Sequence, residues 1–276
     1  METITQQIEK FYKETGKKLE IKDGKPYYGD SLDLRGTAIT SLPDNLVVGG
    51  YLSLAYIAIT SLPDNLVVDG YLNLYKTAIT SLPDNLIVGD WLDVSSTAIT
   101  SLPDNLVVGG SLYLKKTAIT SLPDNLVVGG SLYLRGTAIT SLPDNLVVDG
   151  YLDLSYIAIT SLPDNLVVGG FLDLQGTAIT SLPDNLVVGG YLNLYETAIA
   201  DTSNVNRNVP TLYEWNGKYI KVDGIFSVVD NHHGNVYKVH QIGGTKQMYV
   251  VGDGNGKWAH GKTIDEARRL LNGAQK

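Results

Sequence analysis

Apolar and polar positions recur along this chain with a fixed period of twenty residues. From position 51, one unit reads YLSLAYIAITSLPDNLVVDG, in which Leu52 and Leu54 alternate with residues of other kinds. This alternation predicts a short, half-buried β-strand. Ile59, Leu62 and Leu66 follow as separate apolar anchors, and no stretch has the 3.6-residue period of a helix. Each unit is therefore expected to contribute a strand and irregular connections.

Two turns complete each unit. The segment AITSLPDNL is identical in eight copies, from 38–46 to 178–186, and its Pro, Asp and Asn favour a turn. A Gly-Gly, Asp-Gly or Gly-Asp pair supplies a second bend. Nine strand segments between Ser31 and Tyr195 then stack as a parallel sheet, with a step of about 4.8 Å per unit. A β-solenoid with a second short strand at NLVV is an open alternative.

The two ends of the chain depart from the repeat. Residues 1–30 predict an N-terminal cap, a helix followed by a lead-in hairpin. Residues 31–200 form the solenoid. Residues 201–276 start with a polar linker and predict three or four strands, then a helix with a capping box of Thr263 and Glu266. We expect this small α+β domain to cover the open strand edge of the last repeat. The expected fold class is a mainly β repeat solenoid with both ends capped.

The repeat resembles a known family. LSLAYIAITSLP is similar to the leucine-rich-repeat pattern L-x-L-x-x-N-x-L-x-x-L-P in its short, twenty-residue bacterial form. Thr, or Ile at 57 and 157, stands in place of the family's Asn, and Gly49 stands in place of its first Leu, which leaves the family's Asn ladder and tight first corner open. Two segments also resemble leucine-rich-repeat proteins predicted in bacteriophages and gut bacteria. They are the repeat segment ITSLPDNLVVGGSLYLRGT and the C-terminal segment DGNGKWAHGKTIDEARRLL. The resemblance implies a fold more firmly than an activity.

The repeats differ mainly at alternate strand positions and at the two residues that follow. Because side chains alternate across a strand, these columns are expected to face outward together, away from the buried leucines. Their Tyr, Ser, Asp and Asn content is typical of protein-binding surfaces. The sequence therefore predicts a non-enzymatic module that binds a protein partner of unknown identity, with Trp91, Tyr113 and Tyr133 as anchors. The predicted contact residues are Tyr51, Tyr71, Trp91, Tyr113, Lys115, Tyr133, Arg135, Tyr151, Asp153, Phe171 and Asp173.

Three other interpretations compete with this one. Aromatic columns at this spacing also stabilise a sheet that has no partner, and duplicated units drift wherever change is harmless. The chain could serve as a spacer whose repeats provide only length. A third class is an enzyme or metal site on the tail, which holds all four histidines, His232, His233, His240 and His260, but no known motif spacing.

Composition narrows the choice of partners and chemistry. Residues 31–200 carry 16 acidic and 5 basic side chains, a net charge of −11, which disfavours nucleic acid. The absence of cysteine excludes disulfides, thiol nucleophiles and, for this chain alone, the ubiquitin-ligase activity of bacterial effectors with similar repeats.

No apolar signal segment or membrane-length run is present, so we expect a cytoplasmic protein of a bacterium or a phage-infected host. No cofactor is expected, and open strand edges would permit self-association.

Two regular polar columns are better explained by structure than by binding. A carboxylate recurs from Asp44 to Asp184, but one acid per turn supplies few of the oxygens that calcium needs, so a solvated turn is favoured. The column from Thr40 to Thr180 is similar to the threonine arrays of ice-binding solenoids. Turn hydrogen bonding and strand packing are the simpler explanation.

Overall fold

A computed structural model of the chain describes residues 2–241, 244 and 246–273. These residues form two compact units, Met1–Arg207 and Asn208–Lys276. The first unit is a mainly β parallel solenoid with an N-terminal helix, and the second is a small antiparallel β domain with one helix. The predicted fold class is therefore confirmed.

The N-terminal cap begins with helix α1 (Ile4–Thr15). Thr3 and Gln6 form a capping box: the Thr3 hydroxyl accepts from the Gln6 amide, and the Gln6 side chain accepts from the Thr3 amide at 2.8 Å. Gly16 ends the helix with a positive φ of 68°. Phe11 is buried against the solenoid core. On the exposed side, Gln7 exchanges two hydrogen bonds with Asp44, the turn acid of the first repeat.

The predicted lead-in hairpin is also present. Strands β1 (Glu20–Lys22) and β2 (Lys25–Tyr28) pair antiparallel around a turn at Asp23 and Gly24, both with positive φ. Strand β2 then pairs in parallel with the second strand of the first repeat. The cap thus covers the first strand edge of this sheet with a hairpin, whose short outer strand β1 becomes the edge.

Each repeat contains two short strands, so the two-strand alternative is the observed geometry. The first strand holds the alternating leucines, and nine such strands pair in register as one parallel sheet. They are β3 (Leu32–Asp33), β5 (Leu52–Ser53), β7 (Leu72–Asn73), β9 (Leu92–Asp93), β11 (Leu112–Tyr113), β13 (Leu132–Tyr133), β15 (Leu152–Asp153), β17 (Leu172–Asp173) and β19 (Leu192–Asn193).

The second strand lies in the NLVV segment, where β-branched residues favour extended backbone. These strands pair in parallel in two sheets, with a break between Val128 and Val147. They are β4 (Val47–Val48), β6 (Val67–Val68), β8 (Ile87–Val88), β10 (Val107–Val108), β12 (Val127–Val128), β14 (Val147–Val148), β16 (Val167–Val168) and β18 (Val187–Val188). Each repeat is therefore a closed coil whose two strands face each other across the core.

One continuous apolar core runs between the two strand columns. In the second coil Leu52, Leu54, Ile59, Leu66 and Val68 have no exposed surface, and equivalent residues fill the same places along the stack. A coil buries these side chains only against its neighbours, so a single coil has no core of its own.

The last coil is the exception to this burial. Leu192, Leu194 and Ile199 are only half-buried, whereas their equivalents in the earlier coils are fully buried. The first part of the predicted linker is not a linker, because Asn206 pairs with β18 like another coil. The Arg207 guanidinium donates to the carbonyl oxygens of Val188 and Gly190, at 3.2 and 2.7 Å. The solenoid unit therefore ends after Arg207 and not at residue 200.

The second unit is an antiparallel sheet of six strands, more than the predicted three or four, because each predicted segment is a hairpin. The strands lie in chain order, as β20 (Leu212–Trp215), β21 (Tyr219–Val222), β22 (Ile225–His233), β23 (Val236–His240), β24 (Gln247–Gly252) and β25 (Trp258–Gly261). Helix α2 (Ile264–Leu271) follows, and Thr263 caps it as predicted. A complete capping box would also have the Glu266 side chain accept from the amide of Thr263. Here the Glu266 side chain accepts from the amide of Lys262 instead.

Candidate functional site

Most of the differences between coils fall in four adjacent columns along the nine-stranded sheet and the turn that follows each strand. We name this surface the variable wall. In the second coil it comprises Tyr51, Ser53, Ala55 and Tyr56, and the equivalent residues lie at intervals of twenty. Because the strands are in register, the columns run straight along the stack.

Eight of the nine residues of the first column are half-buried, and the column carries six of the twelve aromatic residues of the wall. Neighbouring rings contact one another without a gap from coil to coil, with centroids 4.0–6.2 Å apart. The ladder consists of Tyr51, Tyr71, Trp91, Tyr113, Tyr133, Tyr151, Phe171 and Tyr191. Such contacts stabilise a fold beyond the area they bury, so the ladder is part of the packing of the solenoid.

The ladder changes column where serine replaces an aromatic residue. Ser111 and Ser131 occupy the first column of two coils, and Tyr113 and Tyr133 fill the ring position from the second column instead. The serine hydroxyls accept hydrogen bonds from the next coil. Ser111 Oγ accepts from the amide of Ser131 at 3.0 Å, and Ser131 Oγ accepts from the amide of Tyr151 at 2.9 Å. The substitutions in these two columns therefore compensate for one another.

Aspartate or asparagine in the second column makes a turn. In six coils this side chain accepts from the backbone amide two residues later, as Asp93 does from Ser95 at 2.8 Å and Asp173 from Gln175 at 3.0 Å. The other four are Asp33, Asn73, Asp153 and Asn193. Asx turns of this kind end the strand and turn the chain toward the next segment.

Asp153 differs from the expectation that these positions face outward, because it is buried. Its side chain is only 6% exposed and accepts from both the amide and the hydroxyl of Ser155, the latter at 2.6 Å. Lys115 lies 3.9 Å from it on the outer side. Asp173 is half-buried, and also accepts from the Tyr151 hydroxyl at 2.9 Å.

The third column is mixed in exposure, which also differs from the expectation that it points outward throughout. Ala55, Ser95 and Ser155 are buried, whereas Arg35 and Arg135 are exposed and Lys115 is half-exposed. In two of these coils the next residue, Tyr56 or Tyr156, is exposed.

The fourth column is the most exposed part of the wall, and sequence reasoning left its members out of the contact set. All nine residues have a positive φ, between 54° and 75°. Three are glycine, which adopts this conformation freely, but six are not: Tyr56, Lys76, Ser96, Lys116, Tyr156 and Glu196. A non-glycine residue in this region costs about 1 kcal/mol. The signal in the sequence was the mixture of glycine and large side chains in one column.

These strained positions hold two exposed clusters. In the first, the Tyr56 and Tyr75 rings meet edge to face at 5.4 Å, with Lys76 Nζ 5.6 and 5.2 Å from their centroids. In the second, Arg135 lies 5.0 Å from the Tyr156 ring, whose hydroxyl accepts from Gln175 at 2.6 Å. Both are cation–π arrangements at the outer edge of the wall. Lys115 makes a third with Tyr133, at 5.0 Å.

The histidines of the second unit do not converge on one site. His232 stacks on Tyr237, and His240 Nδ1 lies 2.7 Å from Asp230 on the surface. Burial lowers the pKa of His260, opposed by Asp223 at 3.9 Å, and both of its ring nitrogens are shielded from solvent. Within the described part of the chain, no three His, Asp or Glu side chains come together as a metal site requires.

Comparison with models of known protein families found no match, and comparison with curated proteins found none either. Of the helices described, none combines the length and apolar character needed to cross a membrane. The case for function therefore depends on the geometry of the variable wall.

Proposed function

We propose that the protein is a recognition module that binds a protein partner through the variable wall. The observation that carries this proposal is a comparison between two exposed faces of the same coils. Ala38, Thr40 and Ser41 and their equivalents are exposed in every coil, yet they are identical in all eight copies of AITSLPDNL. Harmless drift after duplication would have changed these positions as readily as the wall. Substitutions are concentrated on the wall, which supports selection for a varied surface.

Backbone strain supports the same proposal. Glycine makes the fourth-column turn at Gly36, Gly136 and Gly176, so a side chain is not needed there for folding. The retention of Tyr56 and Tyr156 at a positive φ is an outlier of the kind that marks functional positions. Tyrosine and arginine, which meet at Tyr156 and Arg135, are also enriched in binding hot spots.

The test uses a variant that removes side chains without strain. Tyr56→Gly combined with Tyr156→Gly places glycine where φ is positive, so the free energy of unfolding should change by no more than about 1 kcal/mol. The matched control is Thr60→Ala with Thr160→Ala. It changes exposed residues of the same two coils that lie in the invariant AITSLPDNL segment and not on the wall. Each purified protein is immobilised, and host proteins that it retains are identified and then titrated individually.

We expect the wall variant to lose at least about tenfold in affinity for a partner that the wild type and the control both bind. Circular dichroism and thermal melting of the three proteins should agree. Equal affinity of the wall variant and the wild type for every partner would exclude the wall as the site. Trp91, Tyr113 and Tyr133 are less suitable for this test, because they stack in the ladder and their removal also changes stability.

A further inference from the structure

The charges of the solenoid are sorted between its surfaces. All five basic residues between positions 31 and 200 lie in the third and fourth columns of the wall, as Arg35, Lys76, Lys115, Lys116 and Arg135. Eight of the sixteen acids occupy the exposed PDN turns, from Asp44 to Asp184, at another corner of the coil. A strongly acidic body therefore carries its only cations on the surface that varies.

Four of the five acids of the wall are hydrogen-bonded within their own turns, and the fifth, Glu196, is exposed in the last coil. Asp33, Asp93, Asp153 and Asp173 each accept from a backbone amide of their own turn. Asp33 also forms a 2.7 Å ion pair with Arg35, so the guanidinium of Arg35 is already paired within its own coil. From the third to the sixth strand of the sheet, the exposed charged residues of the wall are Lys76, Lys116 and Arg135. In this part of the wall there are four basic side chains and one acid, Asp93.

The orientation of the rings limits the class of partner. Tyr51 and Tyr71 are parallel within 2°, Tyr71 and Trp91 within 7°, and Tyr113 and Tyr133 within 5°. In these three pairs the facing sides of the rings cover one another. Nucleobases stack on open aromatic faces. The stacked pairs therefore offer fewer open faces to single-stranded nucleic acid than isolated rings would.

We propose that the partner contributes an acidic polypeptide segment, whose carboxylates bind Lys76, Lys116 and Arg135 across the middle coils. This inference rests on the proposed function and names the chemistry of the partner. Complementary charge gives such a contact its orientation and its association rate, and exposed ion pairs weaken as salt is added. The cation of Lys76 is held against two tyrosine rings and that of Arg135 against one, which fixes their positions.

The probe is fluorescein-labelled poly-L-glutamate of about 20 residues, titrated with the full chain by fluorescence anisotropy at low salt. The wall variant is Lys76→Gln, Lys116→Gln and Arg135→Gln. The matched control is Lys10→Gln, Lys13→Gln and Lys18→Gln, three exposed lysines of the N-terminal cap, so that the net charge is equal. We expect the wild type and the control to bind alike and the wall variant to bind about tenfold more weakly.

Several results would overturn this inference. They are no binding of poly-L-glutamate by the wild type, equal weakening in both variants, or equally tight binding of an oligothymidylate of the same charge. A wild-type dimer in sedimentation that the wall variant dissociates would assign the surface to a second copy of the chain and also overturn it. If the tyrosine-to-glycine variant loses a partner that the glutamine variant retains, the recognition function stands and only the acidic chemistry fails.

Discussion

The indole of Trp91 lies face to face with the ring of Tyr71, with centroids 4.0 Å apart and planes within 7°. On its other side Trp91 meets Tyr113 edge to face at 6.2 Å. The residue thus joins two segments of the aromatic ladder at the point where the ladder changes column. A residue predicted as an anchor for a partner is also a structural link between three coils.

Trp91→Ala is expected to destabilise the solenoid by about 2 kcal/mol, because it removes two ring contacts and the area that they bury. Trp91→Phe retains a ring and should lose less than half as much. Urea unfolding followed by circular dichroism measures both changes. If the alanine variant unfolds at the wild-type urea concentration, the ladder does not contribute to stability.

Gly176→Ala should be destabilising for a reason specific to one neighbour. A methyl group at Gly176 would lie 2.6 Å from Cδ1 of Tyr156, and φ at Gly176 is +66°. We expect a loss of about 1–2 kcal/mol, since the ring must move and alanine is strained there. In a double-mutant cycle, Tyr156→Gly should remove part of this loss. Additive effects of the two substitutions would show that the ring moves aside freely.

Thr97→Val tests the hydrogen bond that the threonine side chain makes at this position of the coil. The buried Thr97 hydroxyl donates to the carbonyl oxygen of Val94 at 2.6 Å, and the same bond recurs in the other coils that have threonine there. Valine keeps the shape but loses the donor, so we expect a loss of about 1 kcal/mol in the free energy of unfolding. The exposed substitution Thr100→Val is the control and should have almost no effect.

Alkaline pH should weaken the solenoid through its tyrosines. Burial raises the pKa values of Tyr71, Tyr113 and Tyr151, and the hydrogen bond from Tyr151 to Asp173 adds to the last. A raised pKa in the folded state means that the native protein holds its phenol protons more tightly than the unfolded chain. The resulting stability is complete below about pH 10, the ordinary tyrosine value, and is lost as pH rises through the folded-state pKa values.

Urea unfolding at neutral pH and at several values above pH 10 measures this dependence, and absorbance at alkaline pH follows phenolate formation. Tyr151→Phe should make the alkaline decline less steep, because it removes the group with the largest shift. An unchanged pH dependence in this variant would assign the decline to other groups.

The repeat period, the strand of alternating leucines and the helical caps could be predicted because local patterns determine them. The second strand was left open, since two valines do not distinguish a strand from an extended corner. Asp153 was misplaced, because its outward strand position is evident in the sequence but its turn to the Ser155 amide is not. Tyr56 and Tyr156 were missed for a similar reason: a positive φ is a property of the folded turn, and only Gly36, Gly136 and Gly176 indicate it in the sequence.

The buried surface of every internal coil is nearly the same, which has a consequence for how the repeat array evolves. A coil that packs against two near-copies of itself also fits between any other two coils of the array. Gain, loss or exchange of whole twenty-residue segments by recombination would then leave the interior intact while placing different wall residues side by side. New combinations on the outer surface would arise by rearranging existing units, without a search for a new fold.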